Sequence, residues 1–125
     1  MRILADSHVL LWWLENPQRV ALPARAAIAD PANEIYFSAA SVWEIVLKVG
    51  KGKLRIDGDF VALLEADGFE PLPVTMAHAT RALMLPATYG DPFDRMLIAQ
   101  ALVEGLVLAT HDSVIAQYDV PVIAA

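Results

Sequence analysis

The sequence predicts an α/β protein, an open and mostly parallel central sheet with helices on both faces. Three observations carry that expectation. Short β-branched or aromatic runs (Arg2-Ile3-Leu4-Ala5, Ile35-Tyr36-Phe37-Ser38, Leu106-Val107-Leu108-Ala109) alternate with longer stretches of helical periodicity. Glycine or proline punctuates the joints between them, as at Asn16-Pro17, Pro31, Gly50 and Gly68. The 125 residues hold no repeat, low-complexity tract or linker, so residues 1–125 form a single domain large enough for a real core.

Taken in order, residues 2–5 are a strand ending at Asp6, and residues 7–15 an apolar helix carrying Val9, Leu10, Leu11, Trp12, Trp13 and Leu14. Asn16-Pro17 breaks it, and a second helix over 23–30 closes at Pro31. Residues 35–38 are the second strand. The helix after it places Val42, Ile45, Val46 and Val49 at helical spacing and stops at Gly50. Residues 59–66 make a further helix ended by Gly68, and residues 69–74 a strand whose prolines at 71 and 73 suit a sheet edge. A helix over 75–85, a loop over 86–90 and a long helix from Pro92 follow. The strand of residues 106–109, a short helix to Tyr118 and a last strand over 120–123 complete the chain.

Composition excludes several classes. No apolar run approaches the roughly 20 residues that span a bilayer, and Asp6 and His8 interrupt the start, so neither a membrane anchor nor a secretory leader is expected. Of the 57% apolar residues, 21 are alanine, which indicates close helix packing more than bulk. The absence of cysteine rules out disulfides and thiolate metal sites and suits the cytoplasm. A net charge of −6 argues against a protein that coats nucleic acid through its global field.

The chemistry gathers at acids. Pro92 suits the first position of its helix and Asp91 its N-cap. Asp94 lies three, four and seven residues before Leu97, Ile98 and Ala101, so it shares the stripe that faces the core, where a carboxylate needs a cation. Parallel α/β sheets bind ligands beyond the carboxyl ends of their strands. Asp6 ends the first strand, Glu44 sits in the early turns of the helix after the second, and Asp112 follows the strand of 106–109, so all four acids point toward one rim. Each also has an ordinary structural role. Asp6, Asp94 and Asp112 can cap helices, Ser41-Val42-Trp43-Glu44 matches a capping box, and Glu44 with Lys48 makes an i,i+4 pair. Four acids at one edge, however, repel one another without a bound cation.

An all-oxygen site suits Mg²⁺ or Mn²⁺ better than zinc, and such an ion can activate water for phosphodiester cleavage. Lys48, Lys51, Lys53 and Arg55, just beyond Glu44, form a strip that either tracks a phosphate backbone or is a solvated helix end. Arg95 either faces phosphate or pairs with an acid. His8 and His111 adjoin the rim, where either can assist a proton transfer, and Trp12-Trp13 reads as core and interface rather than as a base-stacking platform.

Asp6-Ser7-His8 after an opening strand, Ser38 followed by Glu44, the run from Asp94 to Ala101, and Thr110-His111-Asp112 together resemble a PIN-domain protein, and more narrowly the VapC toxins of toxin–antitoxin pairs. The likeness covers essentially the whole chain. It implies an α/β/α sandwich, Mg²⁺- or Mn²⁺-dependent endoribonuclease activity on RNA, homodimerisation, and inhibition by a cognate antitoxin. By position, Asp6, Glu44, Asp94 and Asp112 match the family's acidic quartet, and Ser7 stands where the family often has a small hydroxyl residue. Three rivals fit less well. A receiver domain needs adjacent acids and a lysine after its last inner strand, and a dehalogenase-type phosphatase needs an acid where His8 stands. A PIN-like fold kept only as a binding module has no need of an intact quartet.

Overall fold

The computed structural model describes residues 1–86 and 90–125. Part of the loop expected over 86–90 therefore lies outside the described residues. Five strands, β1 (Arg2–Ala5), β2 (Glu34–Ser38), β3 (Glu70–Leu72), β4 (Val107–Thr110) and β5 (Val122–Ala124), form one sheet in the order β3-β2-β1-β4-β5, and every pairing is parallel. Among the described residues six α-helices cover it: α1 (Ser7–Glu15), α2 (Leu22–Ala29), α3 (Ala39–Gly50), α4 (Phe60–Ala66), α5 (Met76–Leu83) and α6 (Pro92–Glu104). None of the described helices is long and apolar enough to cross a membrane.

Strand pleating splits the core in two. Ile3 and Ala5 of β1 face a cluster with Val9 and Leu10 of α1, Ala24 and Ile28 of α2 and Leu64 of α4. Leu4, between them, faces the opposite cluster with Leu97, Ile98 and Ala101 of α6, Leu108 of β4 and Ile115. Sandwiching the sheet between two helical layers buries both of its faces, as a parallel sheet requires.

Local chemistry sets the joints. Asp6, Ser38, Asp59, Thr75 and Asp91 each accept a backbone N–H at the start of a helix. α6 ends at Gly105, whose φ of +67° is the left-handed cap that favours glycine. Three elements differ from expectation. β3 shrinks to three residues because Pro71 and Pro73 offer no N–H, although it does occupy a sheet edge. The short helix before Tyr118 tightens to a 3₁₀ turn, Ile115–Gln117. Val120 is turned back onto the Tyr118 carbonyl (2.8 Å), so β5 begins at Val122.

A buried polar chain ties the layers together. Ser38, the cap of α3, donates to Gln100 Oε1 of α6 at 2.6 Å, and Gln100 Nε2 reaches the Pro73 carbonyl (3.3 Å). His78, fully buried, accepts the Thr75 N–H at Nδ1 (3.0 Å), so Nε2 carries the proton donated to Glu104 (2.8 Å). Three helices are thus held in register by hydrogen bonds that the apolar contacts alone do not specify.

Candidate active site

Strand order reverses between β1 and β4: the chain builds β2 and β3 on one side of β1 and then crosses to β4 and β5 on the other. At such a switch point the flanking connections diverge and leave a crevice at the carboxyl ends of the strands. Asp6 and Asp112 follow the two strands that border it. α6 runs back before β4, so its N-terminus, with Asp94, arrives on the same edge.

The crevice is a cavity of about 430 Å³ lined by Asp6, Ser7, His8, Glu44, Lys48, Asp91, Asp94, His111, Asp112 and Ser113. All four expected acids meet there, along with Ser7 and Lys48. A larger hollow of about 660 Å³, beside Arg81, Leu102 and Tyr118, has Asp119 as its one carboxylate among the described residues, so the carboxylates gather at the smaller cavity.

Asp6 is only 5% exposed. One of its oxygens caps Val9 N (2.9 Å) and the other accepts the Thr110 hydroxyl (2.6 Å), so it is at once a cap and part of the cavity lining. Burial pushes its carboxyl above the usual aspartate range. The hydrogen bonds from Thr110 and Val9 offset this only in part, and the nearby Glu44 charge adds to it.

Glu44 is held at two points: the Ser7 hydroxyl donates to Oε1 (2.6 Å), and Lys48 Nζ lies 3.1 Å from Oε2. The expected i,i+4 pair is therefore present, but the capping box is not. The cap of α3 lies three residues earlier, at Ser38, which places Ser41 inside the helix with its hydroxyl buried and, among the described residues, unpaired. Asp91 caps α6 as expected, accepting from Phe93 N and Asp94 N, and also faces the cavity. Asp94 is half-buried in the first turn, and Leu97, Ile98 and Ala101 on its stripe are buried. Asp112 accepts Val114 N (2.8 Å), and its own N–H binds the Thr110 hydroxyl (3.0 Å).

Arg95 turns to a use that was not expected. Its guanidinium donates to the Pro86 and Ala82 carbonyls (2.6 and 2.9 Å), clamping the end of α5. His8 and His111 both line the cavity and both contact the Trp12 ring, which with Trp13 packs against the core as expected. Arg55 leaves the basic strip and faces Asp57 instead (3.6 Å).

Thr110 and Gln100 take roles that spacing along the chain does not assign. Thr110 was visible beside Asp112, but its bridge from Asp6 to the Asp112 backbone depends on β1 and β4 being neighbours. Gln100 had a sharper signal: it is the one polar residue between Leu97 and Leu102, on a stripe that must be buried.

The oxygen-rich lining fits a hard divalent cation. Among the described residues, no three carboxylates or imidazoles converge closely enough to enclose an ion unaided. That spacing is compatible with Mg²⁺, which keeps several waters and is bound through few carboxylates together with substrate phosphate.

A parallel sheet with carboxylates gathered at its switch point defines an α/β domain with an acidic pocket at the carboxyl edge of its strands. The chain belongs to the PIN-domain family, whose model matches residues 3–121. It is similar to Ribonuclease VapC22 of Mycobacterium tuberculosis, with 32% identity over 113 residues that cover 88% of this chain and 86% of the relative. Its fold is similar to that of VapBC2 from Rickettsia felis bound to a promoter DNA fragment (TM-score 0.74, 12% identity, 99% and 98% of the two chains). It is also similar to DNA-bound VapBC from Salmonella typhimurium (TM-score 0.72, 16% identity, 99% and 98%).

Proposed function

We propose that this chain is a divalent-metal-dependent endoribonuclease of the cytoplasm, the toxin of a toxin–antitoxin pair of the VapC kind. The observation that carries the reading is one cavity at the switch point rimmed by Asp6, Glu44, Asp94 and Asp112. Similarity to a ribonuclease supports RNA as the substrate class, and similarity in fold to VapBC complexes supports an antitoxin partner. In this reading Asp6, Glu44, Asp94 and Asp112 would hold Mg²⁺ or Mn²⁺, partly through bridging waters, and the ion would supply positive charge to the scissile phosphate and acidify the attacking water. Ser7 and Lys48 orient Glu44, and Thr110 orients Asp6. A rim carboxylate accepts the proton of the water whose oxygen forms the new P–O bond as the old one breaks, and the leaving ribose oxygen takes up a proton from solvent.

The chain acts as a homodimer. Support comes from Trp43, Val74 and Met76, which are 57%, 41% and 86% exposed. Trp43 and Val74 border a shallow apolar groove with Phe93 and Met96, and apolar surface left open in this way marks an interface.

The test is cleavage of RNA by purified protein in millimolar Mg²⁺ or Mn²⁺, with EDTA and Asp94→Asn as controls. Metal-dependent cutting that Asp94→Asn abolishes, in a variant that still folds, supports the assignment. Undiminished cutting by Asp94→Asn refutes the site.

A further inference from the structure

All three lysines of the chain fall within six positions, in a protein of net charge −6. The structure gathers them further: Lys48, Lys51 and Lys53 line a single groove of about 320 Å³ with Glu44, Leu47, Asp91, Pro92 and Phe93. Glu44, Lys48 and Asp91 also line the acid cavity, so the two hollows share a wall.

The backbone places the lysines rather than leaving them on a loose tail. Lys53 N donates to the Lys48 carbonyl (2.9 Å) and Gly52 N to the Val49 carbonyl (3.0 Å), the paired bonds of a Schellman turn. Gly52 supplies the left-handed residue that this turn requires (φ +72°), and a Cβ there meets nothing within 4 Å, so only the backbone angle demands glycine. The turn folds the chain back on α3 and brings Lys53 beside Lys48. Lys48 is paired with Glu44, whereas among the described residues neither Lys51 nor Lys53 is paired with an acid. Cations at a helix C-terminus complement its dipole. That accounts for Lys48 and Lys51, but not for Lys53 beyond the turn or for a groove that shares a wall with the acid cavity.

We propose that this groove binds the phosphate backbone of single-stranded RNA immediately beside the bond that is cut, with Lys51 and Lys53 contacting phosphates and Lys48 bridging groove and cavity. The proposal rests on the nuclease reading for its ligand and deepens it by assigning a substrate path. A locally basic track leading to an acidic centre lets a protein of negative net charge hold a polyanion where it is needed.

The experiment measures binding of a fluorescent single-stranded oligoribonucleotide to full-length Asp94→Asn protein in EDTA, by anisotropy across a salt series. For single strands the logarithm of affinity falls by about 0.7 per phosphate contact per decade of salt. Replacing Lys51 and Lys53 together by glutamine is therefore expected to reduce the slope by about 1.4 and the affinity at 0.1 M salt by roughly 25-fold. The double arginine replacement retains both. Gly52→Val, which changes no charge, weakens binding by displacing the turn. Unchanged affinity and slope in the double glutamine variant overturn the proposal. So does lost affinity with an unchanged slope, or a loss that appears instead as a dimer-to-monomer shift in light scattering, which would make the lysines a protein interface. If wild type with metal fails to cut RNA while lysine-dependent binding persists, the nuclease reading falls and the groove stands. If wild type cuts RNA and the double glutamine variant cuts it with unchanged KM, the groove falls and the nuclease stands.

Discussion

Asp6 offers the sharpest test of whether the acids exist to hold a cation. It is buried, its charge is opposed by desolvation and by Glu44, and its carboxyl is held above the usual range in the metal-free fold. A carboxyl whose folded pKa is raised contributes stability below its unfolded pKa and loses it as pH rises through the folded value, because the folded state binds its proton more tightly. At neutral pH the ionised Asp6 therefore costs the metal-free protein stability. Asp6→Asn removes that charge while its amide oxygen keeps the cap on Val9 N, so in EDTA at pH 7 the variant is expected to melt above wild type. The gap closes as pH falls toward the aspartate range. Metal reverses the order. An ion that binds only the folded state stabilises it by about 2.7 kcal/mol at 100 times its dissociation constant. With about 2.1 cal/mol/K of unfolding entropy per residue, the 125 residues convert 1 kcal/mol to about 4 °C, so wild type gains about 10 °C. Asp6→Asn gains much less. The assay is a set of thermal melts of both proteins, in EDTA and in millimolar Mn²⁺, at pH 5 and pH 7. A wild type that ignores metal, with Asp6→Asn melting lower at pH 7, would refute the reasoning and leave Asp6 as a helix cap alone.

Other outcomes follow from the same geometry. Gln100→Leu strips the buried Ser38 hydroxyl and Pro73 carbonyl of a partner; at about 1–3 kcal/mol for such a loss, the melt should fall by about 4–12 °C. Because Ser38 and Gln100 set α3 against α6, kcat should drop more than KM changes, and a variant of unaltered stability and kcat would dismiss the network. Ser41→Ala removes a buried hydroxyl unpaired among the described residues and should leave the melting temperature unchanged or up to about 4 °C higher; a clear fall would mean the hydroxyl has a partner. Trp43→Glu, in the exposed apolar groove, should convert a dimer to a monomer in light scattering at micromolar concentration, and an intact dimer would move the interface elsewhere.

Periodicity alone determined the architecture. Apolar runs separated by helical stretches leave a parallel sheet as the economical way to bury both faces, and the strands at 2–5, 35–38 and 106–109 were legible because buried central strands are apolar and β-branched. The rim was legible for a related reason: a residue just past a parallel strand must lie on the sheet's carboxyl edge, whatever the strand order. Tertiary structure alone decided what each acid touches. The strand order 3-2-1-4-5 makes β1 and β4 neighbours, and only that adjacency lets Thr110 reach Asp6 across 104 positions of sequence. Helix docking turned Ser7 toward Glu44, Arg95 toward the end of α5 and Gln100 toward Ser38, contacts whose partners lie 9 to 62 residues apart. It also moved the cap of α3 from Ser41 to Ser38, since both serines can cap a helix in isolation and the buried Gln100 rewards only one. Spacing along a chain tells which face or edge a side chain occupies; its hydrogen-bond partner depends on which other segment the packed core brings to that edge.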